Sequence, residues 1–560
     1  MVVGCILSPT WNPKWKFRFT RRLMKSDEMR RPALLVLSLL AGIACAAMPA
    51  GARSCEDLVQ LSVAGTTITG AESVPAGTFT PPGEKPIENL PAFCRVAGSV
   101  KPTSDSNIQF EVWMPIAGWN GKFQGAGNGG FAGYIDYETM AAAVRHGYAA
   151  ASTDTGHHGT DASWALGHPE KIVDFGYRGI HETADKAKAI IRAFYGEGPR
   201  HSYFSYCSNG GRQALMEAQR FPADYDGIIA GAPANFWTHL LTQAVWNTQA
   251  TMQNLASYIS ASKLPAIEAA ALAQCDDMDG VKDGVIDDPR RCHFDPSALL
   301  CKGAESDSCL TALQVAALKK IYAGPRTSSG QEIVPGFPPG GETGEEGWGL
   351  WITGPAPGKS AEFFFGTQFF GNMVYNNAAW DYRTFDVDRD LKAADDKMAP
   401  ILNATDADLT RFKQRGGKLI LYHGWNDAAI PAGNTIHYYE SVSKKMGQSN
   451  AAEFVRLYMV PGMQHCEGGP GPDMFGQMGV AQGDPQHDLG AALERWVEQG
   501  LAPDQIIATK YKAGSDPASG VIRTRPLCPY PAVAHWKGTG STDDAANFVC
   551  LNPAQQPVTR

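Results

Sequence analysis

The sequence predicts an α/β fold: a mostly parallel sheet covered by helices on both faces, with a large domain inserted into it. Three observations lead there. Short apolar runs alternate with helically spaced segments from about residue 108 to residue 233, and strand, helix, strand order implies parallel strands buried on both faces. The alternation stops near residue 236 and returns at residue 418. The intervening stretch holds four cysteines, an acidic loop, a Gly/Pro-rich segment at 335–358 and an aromatic cluster at 363–370, a composition that sets it apart as an insertion.

Taken in order, the chain opens on an export signal. Arg30 and Arg31 precede an apolar run at 33–47, and Ala50-Gly51-Ala52 supplies small residues before a cut. The run is too short to favour a membrane span. Residues 1–52 carry eight Lys/Arg and two Asp/Glu, so their removal takes the formal charge from −8 to −14. That charge argues against nucleic acid and anionic membrane as partners. The 560 residues suffice for more than one domain. Ten cysteines follow the signal, an even number in an exported chain, which suggests disulfides. The local pairings are Cys55–Cys94, Cys275–Cys292, Cys301–Cys309 and Cys528–Cys550; Cys207 and Cys466 remain for each other. No close CxxC pair supports zinc.

Strands are expected at 110–114, 122–124, 148–153, 203–207 and 228–230. A helix is expected at 181–194, with Ala184, Ala187, Ile191 and Phe194 on one stripe, and another at 213–221. After the insertion come a strand at 418–423, a helix at 434–446, a strand at 454–460 and a helix at 489–499. The domains are therefore 53–235 and 406–560 for the α/β unit and 236–405 for the insertion.

The chemistry concentrates at three places. Tyr206-Cys207-Ser208-Asn209-Gly210-Gly211 ends an apolar strand and opens a helix. A sharp strand-to-helix turn exposes a serine hydroxyl, and small residues after it let the helix start close by. That hydroxyl is a weak nucleophile until an adjacent base takes its proton. His465 lies in a Gly/Pro-rich loop after the 454–460 strand, and Asp427 in the loop after the 418–423 strand. Asp427 would accept the second N–H of the histidine and fix its tautomer. His423, close to Asp427, is the rival histidine, but it precedes the aspartate; the order Ser, Asp, His is that of an α/β-hydrolase. A Cys207–Cys466 bridge would hold Ser208 and His465 side by side. For the oxyanion the donors are Asn209 N–H and a glycine of Gly125-Ala126-Gly127-Asn128-Gly129-Gly130, assigned here to Gly130. The segment 275–287 alternates carboxylates with glycines, as a calcium loop does, without the EF-hand register. Its expected ligands are Asp276, Asp279 and Asp283 by side chain and Val281 and Val285 by carbonyl, with Asp287 as a further candidate. The phenylalanines 363, 364, 365, 369 and 370 either wall an aromatic site or form the core of the insertion.

Together, Cys207-Ser208-Asn209-Gly210-Gly211-Arg212, Gly227-Ile228-Ile229-Ala230-Gly231-Ala232-Pro233-Ala234, Asp427, His465-Cys466 and the calcium loop resemble the tannase/feruloyl esterase family, which includes a hydrolase of mono-(2-hydroxyethyl) terephthalate. The resemblance runs from about residue 55 to residue 550. It implies an α/β-hydrolase with a lid domain over the active site, structural Ca²⁺ in the lid, five disulfides, a Ser208–Asp427–His465 triad and esters of aromatic acids as substrates. The family usually has glycine before the Cys-Ser pair, where this chain has Tyr206. The expectation is thus a secreted or periplasmic serine esterase acting on a small aromatic ester. The rival readings are a serine exopeptidase of the same fold and a non-catalytic, calcium-stabilised binding protein.

Overall fold

The computed structural model describes residues 52–552, so the expected export signal lies outside the described residues apart from Ala52. A nine-stranded sheet forms the centre of the molecule. Its strands are β1 (Thr66–Val74), β2 (Phe93–Val100), β3 (Ile108–Pro115), β4 (Lys122–Gly125), β5 (Ala149–Thr153), β6 (His201–Cys207), β7 (Gly227–Gly231), β8 (Lys418–Gly424) and β9 (Val455–Val460). The spatial order is β1-β2-β3-β5-β4-β6-β7-β8-β9. From β5 to β9 every neighbouring pair is parallel, and β1, β2, β3 and β5 pair antiparallel.

The parallel strands are mostly buried because both their faces are covered. Every residue of β7 is buried, as is every residue of β8 after Lys418. On one face lie α2 (Gly179–Tyr195), α3 (Asn209–Arg220) and α9 (Ala432–Met446), which contribute Ile190, Leu215 and Ile436 to one core. On the other face α1 (Tyr137–Arg145) and α10 (Leu489–Gln499) contribute Met140 and Trp496 to a second core. Gly196, at φ 81°, ends α2 in the left-handed conformation that glycine adopts without steric cost. Helix α3 starts at Asn209, four residues earlier than the periodicity of its apolar residues indicates.

No described residue between β7 and β8 joins the sheet. That stretch holds α4 (Trp237–Met252), α5 (Leu264–Cys275), α6 (Ala312–Ala323), α7 (Ala361–Gln368) and α8 (Val387–Leu402). Capping side chains set several of their starts: Thr311 and Gln314 form a reciprocal capping box at α6, and Ser360 accepts from Phe363 N–H at α7. Phe369 and Phe370 are fully buried in this helical layer, with Phe175, Trp237 and Leu402, so they form its core and line no substrate site. All five disulfides take the pairings read from the sequence. Among the described residues no helix is long and apolar enough to cross a membrane.

Candidate active site

Ser208, Asp427 and His465 each follow the carboxyl end of a parallel strand, β6, β8 and β9 respectively. The sheet therefore delivers all three to one edge, where α/β folds build their sites. Ser208 sits between β6 and α3 at φ 64°, ψ −126°, a region that L-residues rarely occupy. Its N–H donates to Gly231 O at 3.0 Å and its carbonyl accepts from Ala234 N–H at 3.1 Å, so β7 holds the strained turn. A Cβ on Gly211 would lie 2.4 Å from Gly231 O, which is why α3 can begin against β7 only with glycine there. A Cβ on Gly210 would lie 2.2 Å from the Tyr206 ring. The bulky residue before Cys207 is thus accommodated by the glycine after Ser208, and the Tyr206 hydroxyl donates to Asp136 Oδ2 at 2.6 Å.

The three side chains meet. His465 Nε2 is 2.9 Å from Ser208 Oγ, and His465 Nδ1 is 2.8 Å from Asp427 Oδ2. Asp427 can only accept, so Nδ1 carries the proton and Nε2 is free to accept from the serine hydroxyl. Asp427 Oδ1 accepts the N–H groups of Ala429 and Ile430 at 2.8 and 2.9 Å. His423 is brought to the same carboxylate: its Nε2 lies 3.0 Å from both Asp427 Oδ2 and Ile430 O. Both are acceptors, so this Nε2 is protonated, and Nδ1 takes the Thr435 hydroxyl at 2.7 Å. His423 supports Asp427 from behind and does not reach Ser208.

Asp427, His423 and His465 are buried, while Ser208 is half-buried. Burial disfavours an ionised Asp427, but the charge of His465 and the hydrogen bonds from both histidines outweigh it and hold the carboxyl below its usual range. Burial likewise favours a neutral His465, and Asp427, with a smaller contribution from Glu346, overrides it and raises the imidazole pKa. The Cys207–Cys466 bridge, with Cα atoms 6.0 Å apart, joins the residues next to Ser208 and His465. Cys466 also has a left-handed backbone, φ 68°.

Asn209 N–H lies in the first turn of α3, where intrahelical acceptors are lacking. In the facing loop, Asn128 N–H donates to Gln213 Oε1 at 3.1 Å and Gly129 N–H to Tyr134 Oη at 2.8 Å. Those two N–H groups are therefore engaged within the protein. The Asn209 side chain ties the loops together by donating to Asn128 O at 3.0 Å, and Arg212 Nε donates to Asn209 Oδ1 at 2.9 Å.

The insertion covers the site with residues that periodicity did not single out. The Trp351 ring packs edge-on against His465, centroids 5.0 Å apart, and its Nε1 donates to Glu346 at 3.0 Å. Phe365 stacks on Trp351, contacts Phe131, and stands 3.4 Å from where a Gly130 Cβ would be. Of the five phenylalanines in the 363–370 cluster, Phe365 is the one placed against both His465's neighbour and the Gly130 loop; Phe363 packs instead on Tyr382. The 340–351 segment is pinned to the α/β unit, since Asn426 Nδ2 donates to Gly340 O at 2.7 Å and Gln464 Nε2 to Thr343 O.

The 275–287 loop is closed by Cys275–Cys292. The Asp276 carboxylate accepts from Asp283 and Gly284 N–H at 3.1 Å, and Asp279 accepts from Val281 N–H at 2.9 Å. Burial pushes Asp279 up to about 6, with the Asp283 charge adding, and burial followed by the Asp279 charge raises Asp287 well above its usual range. The donors are all hard oxygens in a crowded acidic loop, which fits calcium by type. They do not converge: among the described residues no three of these carboxylates bring oxygens within 4.8 Å of one another. Asp283 is turned toward Arg523, at 3.0 Å, and Arg525. A cation here would compete with those arginines.

Residues 94–551 match the family described as tannase and feruloyl esterase. The chain is 47% identical to an uncharacterized esterase of Xanthomonas campestris pv. campestris over 92% of its own length and 95% of the relative's. It is 34% identical to a probable feruloyl esterase B-2 of Aspergillus terreus, covering 82% and 86%. The crystal structure of feruloyl esterase B from Aspergillus oryzae superposes with a TM-score of 0.82 at 31% identity, over 89% of this chain and 99% of that one. Tannin acyl hydrolase from Aspergillus niger gives 0.69 at 25% identity, over 88% and 92%. The chain belongs to the tannase and feruloyl esterase family and is a carboxylic ester hydrolase.

Proposed function

We propose that this protein is an exported serine esterase that cleaves esters of aromatic acids through an acyl-enzyme on Ser208. The observation that carries the reading is the unbroken relay from Ser208 Oγ through His465 to Asp427, at 2.9 and 2.8 Å. Ser208 Oγ attacks the ester carbonyl as His465 Nε2 takes its proton; Asp427 stabilises the imidazolium that forms. Asn209 and Gly130 N–H groups receive the negative charge that develops on the carbonyl oxygen. His465 then gives its proton to the leaving alcohol. Water, deprotonated by the same histidine, releases the acid and restores Ser208. Trp351, Phe365 and Phe131 supply the apolar, aromatic wall that suits a flat acyl group.

The 275–287 loop would hold Ca²⁺ through Asp276, Asp279 and Asp283 and the carbonyls of Val281 and Val285 once Asp283 exchanges Arg523 and Arg525 for the ion and the carboxylates draw together. The ion's part is structural, because the loop lies outside the Ser208 relay.

The test is turnover of methyl ferulate, methyl gallate and other aromatic methyl esters by wild type and Ser208→Ala. The wild-type protein should hydrolyse at least one of the panel. The variant should fold, with an unchanged circular dichroism spectrum, and lose turnover by about 10³-fold or more. Wild-type rates in a folded Ser208→Ala protein would remove Ser208 from the mechanism.

A further inference from the structure

We infer that His181, Glu217 and Asp224 form a binding site for a divalent cation of the zinc class on the face of the sheet opposite α1 and α10. The three residues come from different places, His181 from α2, Glu217 from α3 and Asp224 from the turn before β7. One ligand atom from each lies within 4.8 Å of the others, the one such constellation of His, Cys, Asp and Glu among the described residues.

Glu217 is the observation that requires explanation. It is 1% exposed, and among the described residues no N–H or O–H donor reaches either carboxylate oxygen, which face the Asp224 carboxyl. A buried, unsatisfied carboxylate is costly unless a proton or a cation joins it. The neighbouring Lys188 makes no ion pair with it: its Nζ donates to the backbone carbonyls of Asp224 and Ala223. His181 Nδ1 is 2.6 Å from Asp224 Oδ2, and its ring stacks on Phe221 with centroids 3.8 Å apart, which fixes the imidazole plane. The His181 side chain is 33% exposed and the Asp224 side chain 12%, so an ion has a path from solvent to Glu217.

One imidazole and two carboxylates, with water in the fourth position, make the donor set of a tetrahedral zinc site. A metal on His181 Nδ1 would replace the hydrogen bond to Asp224, the imidazole proton moving to Nε2, and would displace a proton held between the Glu217 and Asp224 carboxylates, which binding then releases. It would tie α2 to α3, the helix that Ser208 opens. Glu217 is nine residues along α3, about 13 Å from the serine, so the ion takes no part in ester cleavage.

The experiment uses the whole protein, stripped with EDTA and then returned to excess CaCl₂ so that the acidic 275–287 loop is occupied. Zn²⁺ is titrated calorimetrically and Co²⁺ by visible absorption. The expected result is one equivalent of zinc with proton release, a rise in Tm, and a visible cobalt band from a low-coordinate N/O site. His181→Ala, at a partly exposed position, should lose the cobalt band and weaken zinc binding at least tenfold without changing ester turnover. Glu217→Gln keeps the shape and should weaken it likewise. Absence of zinc binding at 100-fold excess overturns the proposal and assigns Glu217 and Asp224 a shared proton instead. Zinc bound equally by wild type and His181→Ala overturns it too, by placing the metal elsewhere.

Discussion

Removing the Cys207–Cys466 bridge should disable catalysis more than it disables folding. The bridge closes 259 residues, and loop closure of that length is worth roughly 5–6 kcal/mol against the unfolded chain. Cys466, at one end of the bridge, and Ser208, next to the other, have left-handed backbones, at φ 68° and φ 64°, and each such conformation costs about 1–3 kcal/mol. Once the bond is gone, the His465–Cys466 loop can relax and recover part of that strain, while the hydrogen bonds to Gly231 and Ala234 still hold Ser208. The net loss of stability should therefore fall short of the loop-closure value. The relaxation itself moves the reacting atoms. Ser208 Oγ and His465 Nε2 are 2.9 Å apart, and 1 Å more ends the hydrogen bond. Misplacement of that size costs about 10²-fold in rate, or ~2.7 kcal/mol in the barrier. The assay is kcat on an aromatic methyl ester for Cys207→Ala/Cys466→Ala, with thermal melts and a non-reduced peptide map of the wild type. A folded double variant with wild-type kcat, or free thiols on the Ser208 and His465 peptides, would refute the reasoning.

Further outcomes are expected at three other positions. Glu346 raises the His465 pKa, and His465 works as a base only when neutral, so activity is lost as pH falls through that pKa; Glu346→Gln should move the acid limb of kcat/KM to lower pH, and an unmoved or upward-shifted limb contradicts this. Asp279→Ala/Asp283→Ala should abolish calcium binding by elemental analysis and lower the Tm, because an ion held by the native state alone stabilises it by mass action; a wild-type protein purified without calcium and indifferent to its addition speaks against the site. Gly211→Ala would press a methyl group against Gly231 O and push α3 off β7, at a cost of about 1–3 kcal/mol; an unchanged Tm would show that the backbone yields there.

The strands that lead to Ser208, Asp427 and His465 were legible because they are mostly buried and rich in apolar and aromatic residues, despite polar interruptions such as Ser205 and Arg456. β1 was not. Its pattern alternates half-buried and exposed residues, and its register slips between Ile68 and Gly70, so its identity comes from pairing with β2 and not from its own composition. The start of α3 was missed for a related reason: Asn209, Gly210 and Gly211 are poor helix formers held in place by the turn that precedes them. The cysteine pairings were readable because four are local in sequence and the fifth is what remains. Trp351 and Glu346 gave no signal. They lie in a Gly-rich stretch without periodicity, and only the folding of the insertion over the sheet brings them to His465. His423 was recognised as a neighbour of Asp427, but its donation to Oδ2 depends on the turn between them.

The distance along the chain between the two halves of the relay also sets an order of assembly. Synthesis runs from the N-terminus, so Cys55 and Cys94 meet first and Cys207 then emerges without its partner. Cys275, Cys292, Cys301 and Cys309 all appear before Cys466, and each has its mate within 17 residues. Such short separations let them pair among themselves faster than Cys207 can capture one of them. A growing chain that has not yet exposed residue 465 carries a serine with no base. A chain stalled before residue 465 therefore lacks the proposed relay, which is completed only after the insertion and its disulfides have emerged.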